Sequence, residues 1–106
     1  MQLTIYDRIK ILGLLPQKSS FEGAIVISEL RKKIELTLDD FKNCNVKTSV
    51  NNGQELVTWD TTKDPMLEVE LTTLESELIK TELKSLNDKK EIEATPVFLE
   101  FYKKLR

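Results

Sequence analysis

The 106-residue chain has no histidine and a single cysteine. Without an imidazole it lacks the usual general base, the commonest metal ligand and the partner that activates most serine or cysteine nucleophiles. One thiol and no imidazole leave zinc without a ligand set. Cys44, being alone, excludes an intramolecular disulfide, which agrees with a reducing compartment. It reads as a small, semi-buried filler near a helix end rather than a reactive thiol. The three glycines, Gly13, Gly23 and Gly53, are too far apart for a phosphate-cradling loop. No apolar run approaches the ~20 residues that span a bilayer. No signal-peptide pattern precedes the first helix, so the expected location is the cytoplasm. A strong charge excess is lacking too. The net charge is −2, residues 1–50 being mildly basic and residues 51–106 mildly acidic. That asymmetry reads as solvated surface, not as a field for nucleic acid. Together these absences predict a protein that is not an enzyme, with no cofactor and no metal site.

What is present suits one globular domain over residues 1–106: 40% hydrophobic and 32% charged residues, with little room for linkers. The clearest local signal is VKTSVNNGQELVTW, Val46 to Trp59. Asn52-Gly53 tolerates the positive φ angles of a two-residue type I′ turn, which makes this a β-hairpin. In that register Val46, Thr48, Val50, Val57 and Trp59 share one face and are expected to pack inward. Lys47, Ser49, Leu56 and Thr58 take the other.

Helices flank the hairpin. Thr4 and Asp7 form the pattern of a capping box, opening a helix that runs to about Leu14, before Pro16. Ser19 or Ser20 caps a second helix to about Ile34, with Ile27, Leu30 and Ile34 on one face. Arg31, Lys32 and Lys33 close it, where the helix dipole favours cations. Thr37 caps a short third helix with Asp39 and Asp40 in its first turn, and Leu38 and Phe41 as its expected core contacts. Met66 to Leu71 alternates and predicts a third strand, with Leu67, Val69 and Leu71 inward and Glu68 and Glu70 outward. Thr72 with Glu75 opens the longest helix, whose stripe is Leu74, Leu78, Ile79, Leu83 and Leu86. Thr95-Pro96 opens the last, with Val97, Phe98, Phe101, Tyr102 and Leu105 on its core side. The predicted fold is α+β: five helices, three N-terminal and two C-terminal, around a small antiparallel sheet made of the hairpin and the third strand.

Paired acids are the only other chemistry. Asp39-Asp40 reads as helix-cap electrostatics, and Glu68 with Glu70 as a solvated strand edge. Three helices and a hairpin resemble the layout of a winged-helix DNA reader. There the third helix would present Asp39 and Asp40 to phosphates, which repels them. Protein contact fits better. The first helix is apolar over most of its circumference, and the last concentrates aromatic residues. The candidate interface residues are Ile5, Ile9, Phe98, Phe101 and Tyr102, with homodimerisation through either helix as one version.

Six short segments in order, Leu3-Thr4, Leu14-Leu15-Pro16, Leu30-Arg31-Lys32-Lys33, Leu38-Asp39-Asp40, Val57-Thr58-Trp59-Asp60 and Phe98 to Leu105, carry a likeness. Through them the chain resembles a loose family of small phage- and prophage-encoded proteins of uncharacterised function. The resemblance implies a viral or mobile-element origin, and brings no activity, ligand or catalytic residue. The resulting expectation is a non-catalytic phage accessory protein in the host cytoplasm. It would bind a host or phage protein, for example as an inhibitor of a defence system or of host machinery. A small-molecule or nucleotide-signal binder, a virion structural or assembly component and a winged-helix-like DNA-binding protein are the alternatives.

Overall fold

Five side-chain oxygens fix where the helices begin. In the computed structural model, which describes residues 1–51, 53–60 and 66–106, Thr4 accepts the Asp7 N–H at 3.1 Å while Asp7 accepts the Thr4 N–H at 3.0 Å. This reciprocal box opens α1 (Ile5–Leu14), preceded by the two-residue strand β1 (Gln2–Leu3). Ser20 caps α2 (Phe21–Ile34) through the Gly23 N–H. A second box, Thr37 with Asp40, opens α3 (Leu38–Asn43). The hairpin follows as β2 (Lys47–Asn51) and β3 (Gln54–Thr58), then β4 (Leu67–Glu68). A third box, Thr72 with Glu75, opens α4 (Thr73–Asp88), and Thr95 with Pro96 at the first position opens α5 (Pro96–Leu105). Each cap satisfies a backbone N–H that the helix itself leaves unpaired.

The mixed helix-and-sheet character agrees with the α+β expectation, but two details differ. Four helices have ten residues or more, whereas α3 has only six. There is also no single three-stranded sheet among the described residues. The hairpin pairs only with itself, Lys47 opposite Thr58 through Asn51 opposite Gln54. Gly53 takes φ +78°, as the turn requires; Asn52 lies outside the described residues. The predicted third strand shrinks to β4 and pairs antiparallel with β1, Gln2 opposite Glu68 and Leu3 opposite Leu67. Met1 extends the pairing, its carbonyl accepting the Val69 N–H at 2.8 Å and its amino group donating to the Val69 carbonyl at 3.1 Å. Two residues are too few to show alternation, so β1 left no pattern to read. The inward and outward sides of residues 67–71 are as expected: Val69 is buried, Leu67 and Leu71 half-buried, Glu68 and Glu70 exposed.

Two apolar clusters hold these elements together. The larger gathers Leu3, Ile11 and Leu15 with Ile27, Leu30 and Ile34 of α2, Val69, Ile79 and Leu83 of α4, and Phe98, Phe101 and Leu105 of α5. The smaller joins Ile5, Cys44 and Val46, with Ile9, Leu36, Val57 and Trp59 against them. It seats the base of the hairpin, and Cys44 is its small buried filler.

Several residues expected inside are outside. Val50 is 76% exposed and Thr48 is exposed, because the far half of the hairpin stands clear of the core. Leu38 is 82% exposed, at the start of a helix too short to bury two faces. The side chain of Phe41 lies outside the described residues. Val97, in the first turn of α5 and about 100° from its neighbour Phe98, lies at the edge of the stripe Phe98, Phe101 and Leu105 and is exposed. Leu74 is exposed for a similar reason, since its neighbour Glu75 takes the buried position in the first turn of α4.

Candidate functional site

The five residues singled out as an interface are mostly interior. Ile5 is fully buried in the smaller cluster, with Ile9 half-buried against it. Phe98 and Phe101 are buried in the larger one, with Tyr102 half-buried beside them. The aromatic rings pack on one another. Phe98 and Phe101 are 5.5 Å apart between centroids, and Tyr6 meets Phe101 edge-on at 6.2 Å. The apolar circumference of α1 and the aromatic run of α5 are therefore accounted for by two cores within one molecule.

Charged groups do the same structural work. Arg8 is only 2% exposed. Its Nε donates to the Ile34 carbonyl at 2.9 Å, and its Nη2 to the Glu35 carbonyl at 2.7 Å and to Asp40 Oδ2 at 3.0 Å. One guanidinium thus satisfies carbonyls at the end of α2 and ties them to the capping box of α3. Burial pushes the Asp40 carboxyl up, but hydrogen bonds from the Thr37 N–H, Arg8 and the Thr37 hydroxyl outweigh this and hold it below its ordinary value. Glu75 repeats the pattern. Burial is opposed by Lys33 Nζ at 2.6 Å and the Thr72 N–H, and its pKa is also lowered. Asp7 accepts from Lys104 Nζ at 2.7 Å. Burial raises the Tyr6 phenol, Lys10 opposes this, and Glu93 and Asp7 add to it. Among the described residues every buried side-chain nitrogen or oxygen has a partner. No trio of acids and cysteine that could hold a metal ion is found among them.

Sequence reading missed these ion pairs because each joins residues distant in the chain. It saw Asp39 and Asp40 as cap acids, and both lie in the first turn of α3. It saw Lys33 as a dipole partner, but its ammonium also reaches Glu75 and the Glu70 carbonyl.

A hollow of about 630 Å³ opens between the start of α1 and α5 and is lined by Tyr6, Asp7, Val97, Phe101 and Lys104, among others. Asp7 and Lys104 in its wall are paired with each other. A different surface has more to offer a partner. Between α2 and α4 runs an open groove of about 310 Å³. Val26 and Leu78, both half-buried, form its floor, and Leu74, 62% exposed, forms part of its rim. Phe21 and Ile25, four residues apart and so on one side of α2, are turned about 100–140° from Val26 and do not line the groove. They are 78% and 49% exposed. Leu74 belongs to the groove, whereas Phe21 and Ile25 form a separate exposed apolar pair on α2. Leu38 and Val50, by contrast, stand singly on α3 and on the hairpin.

Among the described residues no helix is long and apolar enough to cross a membrane. Comparison with protein-family models, with curated proteins and with solved structures finds no match.

Proposed function

We propose that this protein is a non-catalytic accessory protein of a phage or prophage. It acts in the host cytoplasm by binding another protein, host or viral, through the α2–α4 face. One observation carries the reading: Leu74 remains exposed on the rim of the groove over Val26 and Leu78, with Phe21 and Ile25 exposed on a separate side of α2, although the same two helices bury Ile27, Leu30, Ile34, Ile79 and Leu83. Exposing these side chains forgoes roughly 1.5–3 kcal/mol each relative to burial. A contact that covers them recovers much of that, and an apolar centre with a polar rim is the usual anatomy of a protein interface. The mechanism is occlusion: the chain occupies a surface its target needs.

The test compares capture from host lysate by the wild-type chain and by the Ile25→Ser/Leu74→Ser double variant, both checked for an unchanged melting temperature. A protein retained by the first and lost by the second supports the reading. Equal capture by both, or no capture by either, overturns the assignment to this face.

A further inference from the structure

The groove has a charge pattern as well as an apolar floor. Each wall carries one exposed carboxylate, Glu22 from α2 and Glu77 from α4, and no lysine or arginine lines it. Neither carboxylate is in an ion pair with another described residue. Three buried or half-buried acids elsewhere are matched to a cation: Asp7 to Lys104, Asp40 to Arg8, Glu75 to Lys33.

We propose that the α2–α4 groove receives the apolar face of a basic amphipathic helix from a protein partner. The proposal rests on the contact-surface reading above and adds the chemistry of the occupant. A trough between two helices accepts a third helix along it, whose side chains at i, i+3, i+4 and i+7 enter the gap. Here they would meet Val26, Leu74 and Leu78. Lysine or arginine on the flanks of that helix then reaches Glu22 on one side and Glu77 on the other. The same charges disfavour the other occupants. A second copy of the chain, related by a two-fold axis through the groove, would bring these carboxylates against their own counterparts. An anionic lipid surface would be repelled by them.

The experiment uses the full chain and a fluorescent peptide of about 15 residues, long enough to form a helix. Leucines occupy i, i+3, i+4 and i+7, and lysines fill the flanks; a control peptide carries glutamates in place of the lysines. Fluorescence anisotropy is read at low and high salt, and light scattering reports the oligomeric state. The expected result is saturable binding of the basic peptide, weakened about tenfold by Leu74→Ser. The Glu22→Gln/Glu77→Gln pair should weaken it about fivefold and flatten its salt dependence. Both variants alter exposed positions, and an unchanged melting temperature confirms that they fold. Equal binding of the glutamate peptide, indifference to Leu74→Ser, or no saturable binding of the basic peptide overturns the proposal. If neither peptide binds while the Ile25→Ser/Leu74→Ser variant still loses the lysate partner, the basic helix falls and the contact surface stands. A wild-type dimer that Leu74→Ser dissociates makes the occupant a second copy and likewise overturns the proposal.

Discussion

Arg8 shows how much one side chain can hold. It is buried, yet it makes three hydrogen bonds to the end of α2 and the start of α3. Replacing it with methionine keeps the apolar stem but strands two carbonyls and one end of Asp40. Breaking a buried pair by removing one partner costs about 3–5 kcal/mol. Asp40 is not fully buried, so the lower end, about 3 kcal/mol, is the expectation for Arg8→Met in denaturant unfolding. Arg8→Lys restores the charge without the planar fork, and should recover only part of that loss. The carboxylates predict a pH dependence of definite sign. Asp40 and Glu75 have folded pKa values below their ordinary 3.8 and 4.5. They therefore add stability above those ordinary values and lose it as the pH falls through the lowered folded ones. Melting temperature should decline steadily as the pH drops below about 5. Glu75→Gln, less stable at neutral pH, should show a shallower decline. An equal acid slope in that variant would remove Glu75 from the explanation.

At the scale of the element, legibility followed sequence distance. The caps at Thr4, Thr37, Thr72 and Thr95 join residues three apart, and each could be read from the chain because its chemistry is local. The hairpin register could be read because one dipeptide dictates it. The pairing of β1 with β4 joins residues more than sixty positions apart through two-residue strands, which leave no periodic trace. The α2–α4 groove was hidden for a different reason. Leu74 carries the hydrophobicity of a core residue, and only the placement of Glu75 shows which side of the first turn of α4 faces water. The hairpin itself is divided. Val46, just before β2, is buried beside Ile5 and Cys44, whereas Val50 within β2 is exposed. Val46→Ala should cost about 2 kcal/mol and Val50→Ala less than about 0.5 kcal/mol. Equal losses at the two sites would mean that the far half of the hairpin is covered in solution.

For the whole molecule, α1 is the link between the two cores. Ile11 enters the larger cluster, Ile5 and Ile9 the smaller, and Arg8 between them grips α2 and α3. The smaller cluster has few side chains of its own. It is further tied at the end of the hairpin, where the Asp60 N–H donates to the Cys44 carbonyl at 2.8 Å. Such a satellite cluster is stable only while the element it shares with the main core is in place. The sequence supplies a reporter for it, because its single tryptophan, Trp59, packs against that cluster. Far-UV circular dichroism follows mainly α1, α2, α4 and α5, whose packing is that of the larger core. In the wild-type chain the two signals should change together, as in a single cooperative transition. Phe101→Ala removes a ring from the larger core and should shift both signals equally, by about 3–5 kcal/mol. Arg8→Met should separate them, with Trp59 fluorescence changing at lower denaturant than the helical signal. Loss of the guanidinium releases α3 and the hairpin base from α2 without removing any apolar contact of the larger core. If the two signals stay coincident in Arg8→Met, the clusters are coupled through Ile5 and Ile9 alone, and the guanidinium bridge contributes to stability without setting cooperativity.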